Sequence, residues 1–158
     1  MNHFTLKPIG QIVIKEEGMF VQLLPEYIPA LQALEGFSHL DILWWFDACD
    51  QEAARRKLTV VSPYRLAPQV MGTFATRSPE RPNPLALSVA RILAVDERQG
   101  LIQLDYIDAA EGSPVLDLKP YTPSLDRVEA PRVPHWCSHW PKSVEQSGEF
   151  DWESEFCF

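Results

Sequence analysis

The sequence has no uninterrupted apolar run long enough to span a bilayer, and Met1-Asn2-His3-Phe4 does not open a signal peptide. Both absences predict a soluble, cytoplasmic protein. Three cysteines, Cys49, Cys137 and Cys157, cannot all pair within one chain, which argues against a disulfide scaffold. Glycine is scarce, seven against fourteen prolines, and nowhere do the glycines gather into Gly-x-Gly-x-x-Gly between a strand and a helix. That excludes a Rossmann dinucleotide site. No internal repeat and no low-complexity linker is present. Cations are few as well: 14 Lys and Arg against 22 Asp and Glu leave a net charge of −8. A field of that sign does not attract nucleic acid, because phosphate affinity needs lysine and arginine to displace counterions. Only local basic groups remain: Arg55-Arg56-Lys57 with Arg65, then Arg77 with Arg81, then Arg127 with Arg132.

What the chain does have is enough apolar material for a core, with 46% of its 158 residues hydrophobic. The prolines cut it into short elements joined by stiff loops. Strand candidates rich in β-branched and aromatic residues run over 9–14, 19–24, 40–46, 70–76, 85–95, 101–107 and 115–118. Lys15-Glu16-Glu17-Gly18 and Asp96-Glu97-Arg98-Gln99-Gly100 have hairpin length, with glycine where a positive φ is needed. Residues 85–95 also fit a helix, since Val89, Ile92 and Leu93 share a helical face, but are read as strand. Helix signals are weak, at 29–34, 51–58 and 142–146. The pattern predicts a mainly β fold, a small antiparallel or mixed β-barrel with a few short helices and no Rossmann unit.

Three segments concentrate chemistry. In Gly72-Thr-Phe-Ala-Thr-Arg-Ser-Pro-Glu-Arg-Pro-Asn-Pro84, two arginines sit four apart in a loop stiffened by Pro79, Pro82 and Pro84. A rigid loop holds donors for a carboxylate or phosphate at low entropic cost; the alternative is that Arg77 and Arg81 only tie the loop to nearby carboxylates. Asp105-Tyr106-Ile107-Asp108 closes a strand, where carboxylates can accept ribose hydroxyls or an ammonium group, or simply cap a turn. His39, at a strand start, reads as a structural hydrogen-bonder. The last fourteen residues carry five carboxylates and no cation, with Phe150, Trp152, Phe156 and Phe158 among them. They read as a tail anchored by its rings on its own domain with its acids in water, the alternative being a lid or a subunit-crossing arm.

Leu34-Glu-Gly-Phe-Ser-His-Leu40, Phe74-Ala-Thr-Arg-Ser-Pro-Glu-Arg-Pro-Asn-Pro84 with Leu87-Ser88, and Gly112-Ser-Pro-Val-Leu-Asp-Leu-Lys-Pro-Tyr121 resemble the TsaA-like family of TrmO (YaeB)-type tRNA methyltransferases. With Pro8-Ile-Gly-Gln-Ile12, these motifs run in order over 8–126. The resemblance implies a β-barrel that binds S-adenosyl-L-methionine without a Rossmann fold, and a homodimer with cofactor sites near the subunit interface. It implies methylation of the exocyclic amino group of threonylcarbamoyladenosine beside the tRNA anticodon. By position in the motifs, it carries the cofactor contacts onto Arg77, Arg81, Asn83, Leu87, Asp105, Tyr106, Ile107 and Asp108. Asp47 and Ala48 stand where tRNA-modifying members have a histidine and a polar residue. The expected organisation is a barrel domain over 1–126 and a C-terminal extension over 127–158, packed on the barrel or on the dimer partner.

The sequence departs from the family pattern at Ala86, in place of a glycine, and in a short first hairpin where many members have a longer cofactor-enclosing loop. It resembles a short subfamily lacking the further C-terminal domain. The altered Asp47-Ala48 and the acidic charge keep two alternatives open, a small-molecule methyltransferase and a non-catalytic S-adenosyl-L-methionine-binding protein. His135-x-Cys137-x-His139 and Asp47-x-Cys49-Asp50 offer metal-ligand residue types without the usual zinc spacings. Trp136 and Trp140 beside them point to packing, so no metal is expected. The catalytic base is not legible.

Overall fold

The computed structural model describes residues 4–157, so Met1–His3 of the N-terminal reading and Phe158 of the tail lie outside the described residues. Among the described residues there are eight strands: β1 (Gly10–Lys15), β2 (Gly18–Leu23), β3 (His39–Trp45), β4 (Thr59–Val61), β5 (Val70–Gly72), β6 (Leu85–Asp96), β7 (Leu101–Leu104) and β8 (Pro114–Pro120). Six of them close an antiparallel barrel in the order β1-β2-β7-β6-β3-β8, while β4 and β5 pair separately. The fold is mainly β, as the alternation predicts. Residues 85–96 are one long strand, because both of their edges find partners, β3 along the first half and β7 along the second.

Both hairpins lie where the sequence places them. Gly18 (φ +135°) and Gly100 (φ +64°) take backbone conformations that other residues adopt only with strain. Inside the barrel, Ile12, Val21, Leu40, Ile42, Ile102, Leu104 and Val115 form the buried core. They follow the period-two rule, so β3 reads buried at Leu40, Ile42 and Trp44 and less so between. Trp44 is paired with Ala86, whose small side chain faces the same interior. The Trp44 indole Nε1–H donates to Ser88 Oγ at 3.0 Å, satisfying its one polar atom. Register shifts at Leu43/Trp44 and between Ile92 and Ala94 add the local twist that closure requires.

The chain divides into two compact units, residues 4–50 with 84–127, and residues 51–83 with 128–157. The first is the barrel. The second contains β4 and β5, the proline-rich loop and the C-terminal segment. Here the structure differs from the sequence reading in detail. The strand expected over 70–76 stops at Gly72, because Thr73–Ala75 wind into a 3-10 turn and the Thr76 hydroxyl donates to Thr73 O at 2.8 Å. The helix expected over 29–34 is a 3-10 helix at Pro25–Leu31, and those expected over 51–58 and 142–146 are single α-helical turns at Glu52–Arg55 and Val144–Ser147. β4 has no counterpart among the expected strands; with three residues it shows too little alternation to detect.

The tail packs within the second unit. Tyr64, Trp136, Trp140, Trp152 and Phe156 form a chain of ring contacts with centroids 4.9–5.9 Å apart. One of its acids is not in water. Glu155 is 1% exposed and accepts from Trp140 Nε1 at 3.0 Å, with His139 Nε2 also at 3.0 Å. Burial pushes the Glu155 carboxyl up, but the hydrogen bonds from Trp140 and His139 and the charges of His139 and Arg65 outweigh it and hold the group below its ordinary range.

Candidate functional site

Strand direction decides which residues meet at each end of the barrel. β1, β3 and β7 run one way, and β2, β6 and β8 run the other. The ends of the first three and the starts of the others therefore open toward one mouth. Asp47 and Ala48 follow β3, Leu87 lies in the first turn-length of β6, and Asp105–Asp108 follow β7. These seven residues, spread in the chain from Asp47 to Asp108, are carried toward that mouth. His39 belongs to the opposite end, where its Nδ1 lies 2.8 Å from Ser38 Oγ and its ring meets Tyr121 edge-on.

Local bonding fixes each segment. Asp47–Cys49 is a 3-10 turn pinned on both sides. Phe46 N donates to Pro84 O at 2.9 Å, Cys49 N to Phe46 O at 3.0 Å, and Trp45 Nε1 to Asp50 Oδ2 at 3.0 Å. Asp47 and Ala48 are thereby presented to solvent on a rigid turn. Leu87 pairs with Leu43 in the ladder and keeps 47% of its surface exposed.

Asp105 has a structural duty. Its Oδ1 accepts from Arg91 N at 2.9 Å and from Tyr106 N at 2.7 Å, while its own N donates to Arg91 O at 3.1 Å. This is the turn-capping alternative, realised at the point where the β6–β7 ladder ends. The consequence is that Tyr106, 64% exposed, and the exposed Asp108 project from a braced backbone. Burial and the nearby Asp108 charge raise the Tyr106 hydroxyl above its usual value, keeping it a neutral donor. Ile107 turns inward and is 2% exposed, so any contact it makes with a ligand runs through its backbone.

Arg77, Arg81 and Asn83 belong to the second unit. Their loop is braced from within: Thr73 Oγ1 donates to Lys57 O at 2.8 Å, Ser78 N donates to Thr76 Oγ1 at 3.2 Å, and Arg81 Nη1 donates to Ser78 O at 3.4 Å. Arg55 Nη1 donates to Pro82 O at 3.2 Å, and Lys57 forms an ion pair with Glu80. Arg77 and Asn83 are exposed and Arg81 is half-buried. That Arg81 bond goes to a backbone carbonyl rather than to a carboxylate.

Taken unit by unit, the exposed groups differ in what they could bind. Exposed carboxylates at Asp47 and Asp108 suit an ammonium group and ribose hydroxyls, the guanidinium of Arg77 suits a carboxylate, and Leu87 with Tyr106 offers apolar faces to a purine. Among the described residues, no three His, Cys, Asp or Glu side chains gather as metal ligands. Cys137 is buried with its thiol donating to Pro134 O at 3.4 Å, and His139 meets Glu155. Among the described residues, no helix is long and apolar enough to cross a membrane. Sequence reasoning missed Tyr64 and Glu155, and it named Arg55 as part of a basic group without foreseeing its bond to Pro82 O. Arg55 and Glu155 offered no signal beyond being a cation and an acid in charged runs, and Tyr64 none beyond a lone ring between prolines.

Comparison with known proteins then places the chain. The sequence profile of the tRNA-methyltransferase O N-terminal domain matches residues 4–127. An S-adenosyl-L-methionine-binding protein of Archaeoglobus fulgidus is 39% identical over 139 residues, covering 78% of this chain and 93% of that protein. A human tRNA (adenine(37)-N6)-methyltransferase is 37% identical over 129 residues, which are 78% of this chain and 28% of that one. The crystal structure of TrmO from Pseudomonas aeruginosa matches with a TM-score of 0.61 at 31% identity, over 84% of this chain and 62% of that one. This chain thus spans less than two thirds of the solved TrmO protein. A profile that covers most of the chain, together with the shared barrel, makes it a member of the tRNA-methyltransferase O N-terminal domain family.

Proposed function

We propose that the protein is an S-adenosyl-L-methionine-dependent methyltransferase whose acceptor is the exocyclic amino group of threonylcarbamoyladenosine beside the tRNA anticodon. The observation that carries the reading is the convergence of Asp47-Ala48, Leu87 and Asp105–Asp108 on one barrel mouth in a member of this family. Arg77, Arg81 and Asn83 join the cofactor contacts on the strength of the family motif. In this reading Arg77 takes the methionyl carboxylate, Asp108 and Asp47 take hydroxyl and ammonium groups, and the Ile107 backbone with Leu87 borders the adenine.

When bound, the cofactor supplies an electrophilic methyl group on a sulfonium whose charge vanishes as the methyl leaves. The protein's part is alignment: residues on braced turns hold the two reactants in line at little entropic cost. We further propose that it works as a homodimer, with Phe74, Val61 and Val70 among the exposed apolar side chains that a partner would cover.

The charge argues for few phosphate contacts. Arg56 is engaged by Glu52 and Lys57 by Glu80, both on the surface. Those surface pairs are exchangeable, because each is worth only about 0–1 kcal/mol. The acidic charge favours a second reading, a small-molecule acceptor. The deciding assay uses labelled cofactor and threonylcarbamoyladenosine-containing tRNA across a salt series. Transfer that declines steeply with salt supports tRNA; cofactor binding without any transfer at low salt overturns it in favour of the small acceptor.

A further inference from the structure

The long strand β6 outruns one of its two neighbours. β3 pairs with it from Leu85 to Arg91, and the last bond on that side is Ile92 N donating to Ser38 O at 2.8 Å. β7 holds the other edge as far as Asp96, with a register shift between Ile92 and Ala94. From Leu93 to Asp96, the edge that β3 has left has no backbone partner among the described residues. Alternate residues of an antiparallel strand turn their N–H and C=O to opposite sides, so part of this stretch presents donors and acceptors outward. Proteins often blunt such an edge with proline or lysine; Leu93-Ala94-Val95-Asp96 has neither. The edge borders a groove. The turn over 34–37 stands across from 92–98, with about 770 Å³ between them. Phe37, 40% exposed, and Leu93, 51% exposed, supply its apolar contacts. Glu35, Asp96 and Glu97 line it against one cation, Arg98, so its charge is negative. Asp96 Oδ1 is occupied by Arg98 N and Gln99 N, which leaves Glu35 and Glu97 as the exposed acids.

We propose that this groove docks a basic, extended peptide segment of a protein partner, which adds as a strand to Leu93–Asp96. A strand rises about 3.3 Å per residue, so about five or six residues span the stretch. Main-chain bonds complete the open edge, alternate apolar side chains meet Phe37 and Leu93, and the lysines or arginines between them reach Glu35 and Glu97. The same acids disfavour a phosphate backbone as the occupant. The groove lies where β3 begins and β6 ends, at the barrel end opposite the mouth that carries Asp47 and Asp105. It is therefore independent of the cofactor reading.

The probe is an end-blocked hexapeptide of alternating lysine and valine, titrated into the isotope-labelled full chain, with amide shifts and amide exchange read over 93–97. Binding should shift and protect these amides ahead of the rest of the barrel. N-methylation of the peptide on one alternate set of residues should weaken binding about ten-fold or more, because it removes the bonds to the strand. Methylation of the other set should change it little. Glu35→Lys together with Glu97→Lys, both at exposed positions, should leave the melting temperature unchanged and weaken binding about three- to ten-fold. No change over 93–97 at millimolar peptide, equal affinity for the two methylated peptides, or equal affinity for a glutamate–valine counterpart overturns the proposal. Exchange over 93–96 that slows with protein concentration in the absence of peptide assigns the edge to a second copy of the chain and overturns it as well.

Discussion

Every strand of the barrel has a hydrogen-bonded neighbour on both sides and an aliphatic interior, whereas the second unit has one two-stranded sheet, single-turn helices, a run of rings and a buried carboxylate. The first is held by a repeating ladder over area removed from water. The second depends on a few particular contacts, each with its own geometry. Aliphatic cores lose stability in proportion to what is removed; a core of rings around a charged group fails when one acceptor is lost. Arg77, the arginine proposed to contact the cofactor, sits on the second kind of scaffold.

That contrast can be broken by substitution. The largest effect is expected for Ile42→Ala, which empties a fully buried position of the barrel and should lower stability by about 2–5 kcal/mol in chemical denaturation. Amide exchange should quicken in the barrel strands; protection unchanged there would contradict a shared core. Next comes Glu155→Leu, which leaves the Trp140 and His139 nitrogens without their acceptor and should cost about 1–3 kcal/mol. Exchange should rise in 51–83 and 128–157 ahead of the barrel, and a uniform rise would erase the distinction between the units.

A smaller effect sharpens the same point through pH. The folded-state pKa of Glu155 is held below its ordinary value of 4.5. The stabilisation is therefore present above that value and fades as pH falls through the folded pKa. The melting-temperature gap between wild type and Glu155→Gln should narrow on acidification; a gap that is constant or widens would refute the carboxylate's role. The smallest change is expected for Lys57→Ala. Its pair with Glu80 is half-exposed, so less than about 1 kcal/mol should be lost; a larger loss in urea would mean that the pair helps brace the proline loop.

The same contrast explains what the sequence let one read. Alternation at Leu40, Ile42 and Trp44, and glycines at positions 18 and 100, are local signals, and they located the strands and hairpins of the barrel. The resemblance motifs singled out Asp47, Leu87, Arg77 and Asp105–Asp108, and strand direction shows how those in the barrel come to one mouth. Asp105 was legible as a residue, but its engagement with the Arg91 and Tyr106 amides was not, since that depends on where a ladder stops. Nothing periodic marks Tyr64 or Glu155. Their partners are more than ten residues away and are chosen by packing.

Phe46 N and Pro84 O lie 2.9 Å apart, and Trp45 pairs with Leu85. The whole excursion from Gln51 to Asn83 thus begins and ends at adjacent points of one antiparallel ladder. The entropy of closing that long loop is met by the hairpin-like pairing of β3 with β6, and depends only weakly on how many residues lie between. Insertions, deletions or exchange of that segment can therefore alter the loop that carries Arg77 while the barrel keeps its register. The architecture is open at this point to diversification of what it recognises, with the fold left as it is.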